Sequence, residues 1–78
     1  MHILLVEDEL ALAKGIQTSL RLAHYAVSHV TEGKAAVLAA KNADCDLMIL
    51  DLGLPDMCGF DVLKIIRANK IALPIVIL

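Results

Sequence analysis

Apolar residues run along this chain in short, nearly unbroken blocks. "HILLV" (2–6), "LMIL" (47–50) and "LPIVIL" (73–78) are dominated by Ile, Leu and Val. Such runs suit strands buried on both faces, as in a parallel sheet. "YAVSHV" (25–30) is mixed, which suits a half-wetted edge strand. Between the runs the apolar period lengthens. Over residues 9–23, Leu12, Ala13, Ile16 and Leu20 recur at helical spacing. Over 32–43, Ala35, Ala36, Leu38 and Ala39 do so behind Thr31, the predicted N-cap. Over 60–69, Val62, Leu63 and Ile66 do so again. The order β-α-β-α-β-α-β predicts right-handed crossovers and an open, parallel, three-layer α/β sheet. No repeat, low-complexity segment or linker divides it.

In such sheets ligands bind outside the carboxyl ends of the strands, where the strand order reverses. Glu7 and Asp8 follow the first strand and Asp51 follows the third. If those strands are neighbours, three carboxylates share one crevice. Crowded acids raise one another's pKa unless a cation holds them. A hard cation such as Mg²⁺ takes carboxylate, carbonyl and water oxygens, often with only one or two carboxylates bound directly. The segment "DLGLPDMCG" (51–59) fits that use. Gly53 leaves its backbone carbonyl accessible, Pro55 stiffens the turn, and Gly59 permits a sharp entry into the next helix. Glu9 suits an acidic first helical turn. Asp51 alone could be a helix cap, and Gly53 with Pro55 an ordinary turn. The company of Glu7 and Asp8 is what favours a site.

Composition narrows the class. The chain has 78 residues, enough for one small and marginal domain. Hydrophobic content is 59% with a single Tyr, a single Phe and no Trp, so the core must be aliphatic. No run approaches the roughly 20 apolar residues of a membrane span. Glu7, Asp8 and Glu9 interrupt the early apolar run, unlike a signal peptide. A formal charge of −2 offers no basic footprint for nucleic acid. Two cysteines make no disulfide framework, and a reduced, cytoplasmic home is the default. His2, His24 and His29 are scattered; His29 is expected to face solvent from the edge strand.

"ILLVEDE", "DLGLPDMCGFDVL" and "LPIVIL" closely resemble the receiver domain of two-component response regulators. The resemblance is greatest to the winged-helix (OmpR-like) transcription-factor subclass. It implies a flavodoxin-like (CheY-like) sheet of order 2-1-3-4-5. It also implies that Asp51 is the phosphoacceptor, taking a phosphoryl group from a sensor histidine kinase in a Mg²⁺-dependent reaction. Under it Asp8 binds Mg²⁺ directly and Glu7 largely through water. Asp51 supplies a carboxylate oxygen and Gly53 its carbonyl. The domain would be a phosphorylated switch rather than a turnover enzyme, and DNA would be contacted only through a further C-terminal domain.

This sequence departs from the family pattern in three places. Receivers continue past the fourth strand with a Thr or Ser, a helix, a strand ending in Lys and a last helix; here the sequence stops at Leu78. Residues 1–78 are therefore expected to be the N-terminal part of a receiver, without α4-β5-α5. If that is the whole chain, the fourth strand is an apolar edge prone to self-association, and a non-switching interaction fragment is the alternative reading. Cys58 stands where the subclass has an Asp cap, and His24 where it often has a helix-ending Gly. Two rival chemistries fit poorly. A haloacid-dehalogenase-type phosphatase needs an acid two residues after its nucleophile, where this chain has Gly53. A flavodoxin-type flavin site needs a Ser/Thr/Gly-rich phosphate loop where this chain has "EDE".

Overall fold

A computed structural model describes residues 1–42 and 45–78. Its elements run β1 (His2–Val6), α1 (Leu10–Leu22), β2 (Ala26–Val30), α2 (Gly33–Lys41), β3 (Leu47–Leu50), α3 (Gly59–Ala68) and β4 (Ile75–Ile77). Ala43, the expected end of the second helix, lies outside the described residues. The four strands form one sheet of order β2-β1-β3-β4, with every pairing parallel. This is the expected open flavodoxin-like arrangement. The chain steps from β1 outward to β2, then back across β1 to β3. Right-handed crossovers therefore put α1 on one face and α2 and α3 on the other.

Side-chain alternation divides the core accordingly. Leu4, Val6, Met48 and Leu50 face α2 and α3, where Ala36, Ala40, Val62 and Ile66 complete a buried cluster. Ile3 and Leu5 occupy the alternate positions of β1 and are also buried, as is Ala13 of α1. Small alanines on α1 and α2 let each helix lie close to the sheet. β2 is half-wetted, as its mixed composition predicts.

The helix boundaries show local chemistry at work. α1 is capped by Glu9, whose carboxylate accepts from the amides of Ala11 (3.2 Å) and Leu12 (3.0 Å). Its C-terminal turn places His24 at φ 70°, the left-handed conformation that the missing glycine would have adopted without strain. The last strand is shorter than its apolar run. Leu73 is buried and Pro74 accepts from the Met48 amide through its carbonyl, but regular pairing begins at Ile75. Proline has no amide to donate to a ladder. No helix among the described residues is long and apolar enough to cross a membrane.

Candidate metal centre

The parallel register brings the acids together. Val6 of β1 sits opposite Leu50 of β3, so the residues that follow each strand emerge side by side. The Asp51 amide donates to the Val6 carbonyl at 3.0 Å, and the Glu7 amide donates to the Val30 carbonyl at 3.1 Å. β1 is also where the strand order reverses, flanked by β2 and β3. The crevice expected from the sequence therefore forms at the carboxyl ends of β1 and β3.

Glu7, Asp8 and Asp51 each turn a carboxylate oxygen into this crevice, and the three oxygens lie within 4.8 Å of one another. Their environments differ. Glu7 is only 3% exposed, Asp51 is half-buried and Asp8 is exposed. Burial pushes the Glu7 carboxyl above its ordinary value. The Glu9 amide, which donates to Glu7 Oε2 at 3.2 Å, opposes that rise. The negative charge of Asp51, and hydrogen bonding with Asp51 and Asp8, push it further up. Among the described residues, the side chains that shift Glu7 are the acids Asp51 and Asp8, not a cation. An all-oxygen donor set with surplus negative charge fits a hard divalent cation such as Mg²⁺.

The loop after β3 borders the same crevice. A side chain at Gly53 would meet only Asp51 Oδ2, at an ordinary 3.8 Å, so this glycine is not forced by space. Gly59 is forced. A Cβ there would lie 2.5 Å from the Asp51 carbonyl oxygen and 2.8 Å from the Leu52 Cα. The Gly59 amide donates to the Leu52 carbonyl at 3.0 Å, which closes the neck of the loop. Gly59 thus serves a close backbone approach, not a positive φ.

Three residues play parts the sequence did not announce. Thr31 does not cap α2. The position before the helix is Glu32, which makes no side-chain cap bond, and the first amides are taken by Asp56 instead. His29 does not simply face solvent. Its Nε2 donates to the Glu7 carbonyl at 2.7 Å and steadies the backbone at the acidic turn. Glu9, beyond its role as a cap, orients Glu7 through its amide. Cys58, as expected, makes no side-chain cap bond at the start of α3. Among the described residues neither Cys45 nor Cys58 forms a disulfide.

Comparison with known proteins agrees with this architecture. The family model of the response regulator receiver domain matches residues 3–78. Response regulator protein PmrA of Pseudomonas aeruginosa is 42% identical over 78 residues, and the cell cycle response regulator CtrA of Brucella ovis is 38% identical over 78. All of the chain is aligned in both cases, but it spans only about a third of those relatives, 35% and 34% of their length. The receiver domain of sensor histidine kinase PA1611 from P. aeruginosa, solved with a magnesium ion coordinated in its active-site cleft, superposes with a TM-score of 0.92 at 33% identity. That match covers 97% of this chain and 64% of the other. The non-phosphorylated HemR receiver domain from Leptospira biflexa superposes with a TM-score of 0.87 at 33% identity, over 97% of this chain and 61% of that one.

Proposed function

The chain belongs to the response regulator receiver domain family, and from that premise we propose that Asp51 accepts a phosphoryl group from the phosphohistidine of a sensor histidine kinase. The observation that carries this reading is the meeting of Glu7, Asp8 and Asp51 within 4.8 Å at the strand-order reversal. In the transfer an Asp51 carboxylate oxygen attacks phosphorus. The bond from phosphorus to the imidazole nitrogen breaks, its electron pair leaves with the imidazole, and an aspartyl phosphate forms. The Asp8 and Asp51 carboxylates, the Gly53 carbonyl and, largely through water, Glu7 would hold Mg²⁺, which would supply positive charge to the transferring oxygens.

The chain's own residues prepare Asp51 in two ways. The bond from its amide to Val6 fixes it at the end of β3, and the neck of the loop, closed by the bond from Gly59 to Leu52, runs close beside its carbonyl. The crowding of negative charge also favours cation uptake, because the metal-free cluster is electrostatically uncomfortable. On this reading the domain is a signalling switch in the cytoplasm. It belongs to a longer, winged-helix transcription regulator whose DNA-binding part is separate; the response-regulator relatives, about three times as long, support that.

The reading is tested by incubating the chain with acetyl phosphate and following its mass. It predicts the gain of one phosphoryl group that requires Mg²⁺ and disappears in Asp51→Asn. Labelling that persists in Asp51→Asn, or that ignores Mg²⁺, overturns it.

A further inference from the structure

We propose that Asp56 is a positioning residue that clamps the loop after β3 onto the first turn of α2 and thereby holds Gly53 and Asp51 in place at the acidic crevice. The clamp uses both carboxylate oxygens. The Gly33 amide donates to Asp56 Oδ1 at 2.7 Å and the Lys34 amide to Oδ2 at 3.0 Å. These are the first two residues of α2, and the side chain of the preceding Glu32 makes no cap bond to them. A carboxylate there also meets the positive end of the helix dipole.

The next residue locks the same joint sterically. A Cβ on Gly33 would fall 2.5 Å from Met57 Cγ and 2.8 Å from Val62 Cγ2, so Met57 occupies the space that Gly33 leaves. The loop is thus held at both ends. Its neck is closed by the bond from Gly59 to Leu52 and by the bridge between Gly53 and Cys58, and its tip is tied to α2 by Asp56. With the neck and tip both fixed, the carboxylate of Asp51 and the backbone of Gly53 have little room to drift. The amides of Gly33, then Lys34, also draw the Asp56 carboxyl below its ordinary value, as expected of an ionised cap. Coupling of this kind is reciprocal: whatever binds at the crevice should in turn steady the first turn of α2. Only this last consequence rests on the proposed function; the clamp itself does not.

The test is amide hydrogen exchange on the metal-free chain, comparing wild type with Asp56→Ala, Asp56→Asn and the control Ala40→Gly, which weakens α2 away from the loop. The clamp predicts severalfold faster exchange at Gly59 in Asp56→Ala and an intermediate rise in Asp56→Asn, which keeps one acceptor oxygen. Ala40→Gly should leave Gly59 unchanged. Should Asp56→Ala fail to fold, Asp56→Asn against Ala40→Gly carries the same comparison. Faster exchange confined to Gly33 and Lys34, or a Gly59 response equal to that of the control, overturns the proposal. Mg²⁺ titration then reads the consequence. Affinity should fall about tenfold in Asp56→Ala, the lower end of what groups just outside a metal's ligands carry, and hold in Ala40→Gly. A wild-type chain that binds no Mg²⁺ while Gly59 still responds sinks the metal site and leaves the clamp standing.

Discussion

Two carboxylates near the active edge of the sheet, Glu7 and Asp56, meet opposite electrostatic fates. Glu7 is buried beside two other acids and its pKa is raised; Asp56 lies near the surface against two helix amides and its pKa is lowered. The difference lies in the partners offered to the charge. Asp56 is satisfied by backbone N–H groups within the fold, so ionising it supports the structure. Glu7 has one amide and two like charges, so ionising it works against the structure. Such strained carboxylates cluster at functional sites, and the donor set in the crevice suits the divalent cation proposed above. Side by side, the two acids separate what holds the loop from what the loop is held for.

The substitution with the largest expected effect breaks both regions at once. Gly59→Ala drives a methyl into the backbone of Asp51 and Leu52, which cannot swing aside as a side chain can. It should cost about 3 kcal/mol in denaturant unfolding and abolish labelling of Asp51. A smaller effect, of opposite sign, comes from the crevice alone. Asp51→Asn removes a negative charge facing Glu7, so it should raise the melting temperature of the metal-free chain while removing phosphoacceptor activity. A lower melting temperature would mean that Asp51 is paired in a way the geometry does not show.

The smallest effect is the pH dependence, and it sharpens the contrast. Asp56 is lowered from 3.8, so its contribution is present above that value and is lost as pH falls through the folded pKa. Glu7 is raised from 4.5, so its contribution is present below that value and is lost as pH rises through the folded pKa. Thermal melts across the acid range should therefore show a shallower acid-side loss in Asp56→Asn, while Glu7→Gln should reduce the decline on the rising side. Identical profiles for the two variants would erase the distinction.

Most of the fold was legible in the sequence because its signals are local. Continuous aliphatic runs marked β1, β3 and β4, the mixed run marked the edge strand β2, and apolar spacing marked the three helices. The acidic cluster was legible because strand ends and parallel register put Glu7, Asp8 and Asp51 together almost by topology alone. What escaped was tertiary. Thr31 was the natural cap for α2 by position, yet Asp56, more than twenty residues downstream, takes the amides. His29 reads as a solvent-facing residue until β1 and β2 pair and bring the Glu7 carbonyl within 2.7 Å. Gly59 reads as a turn residue, whereas the constraint is the nearness of Asp51 and Leu52. None of these partners can be inferred from sequence spacing.

The central claim is that the phosphoryl group goes to the one carboxylate at the end of β3. Treating the acetyl-phosphate-labelled chain with borohydride reduces an aspartyl phosphate to homoserine, and sequencing the peptides then locates it. The account predicts homoserine at position 51 alone, formed only when Mg²⁺ was present during labelling. Homoserine at position 8, at position 56 or nowhere would contradict it.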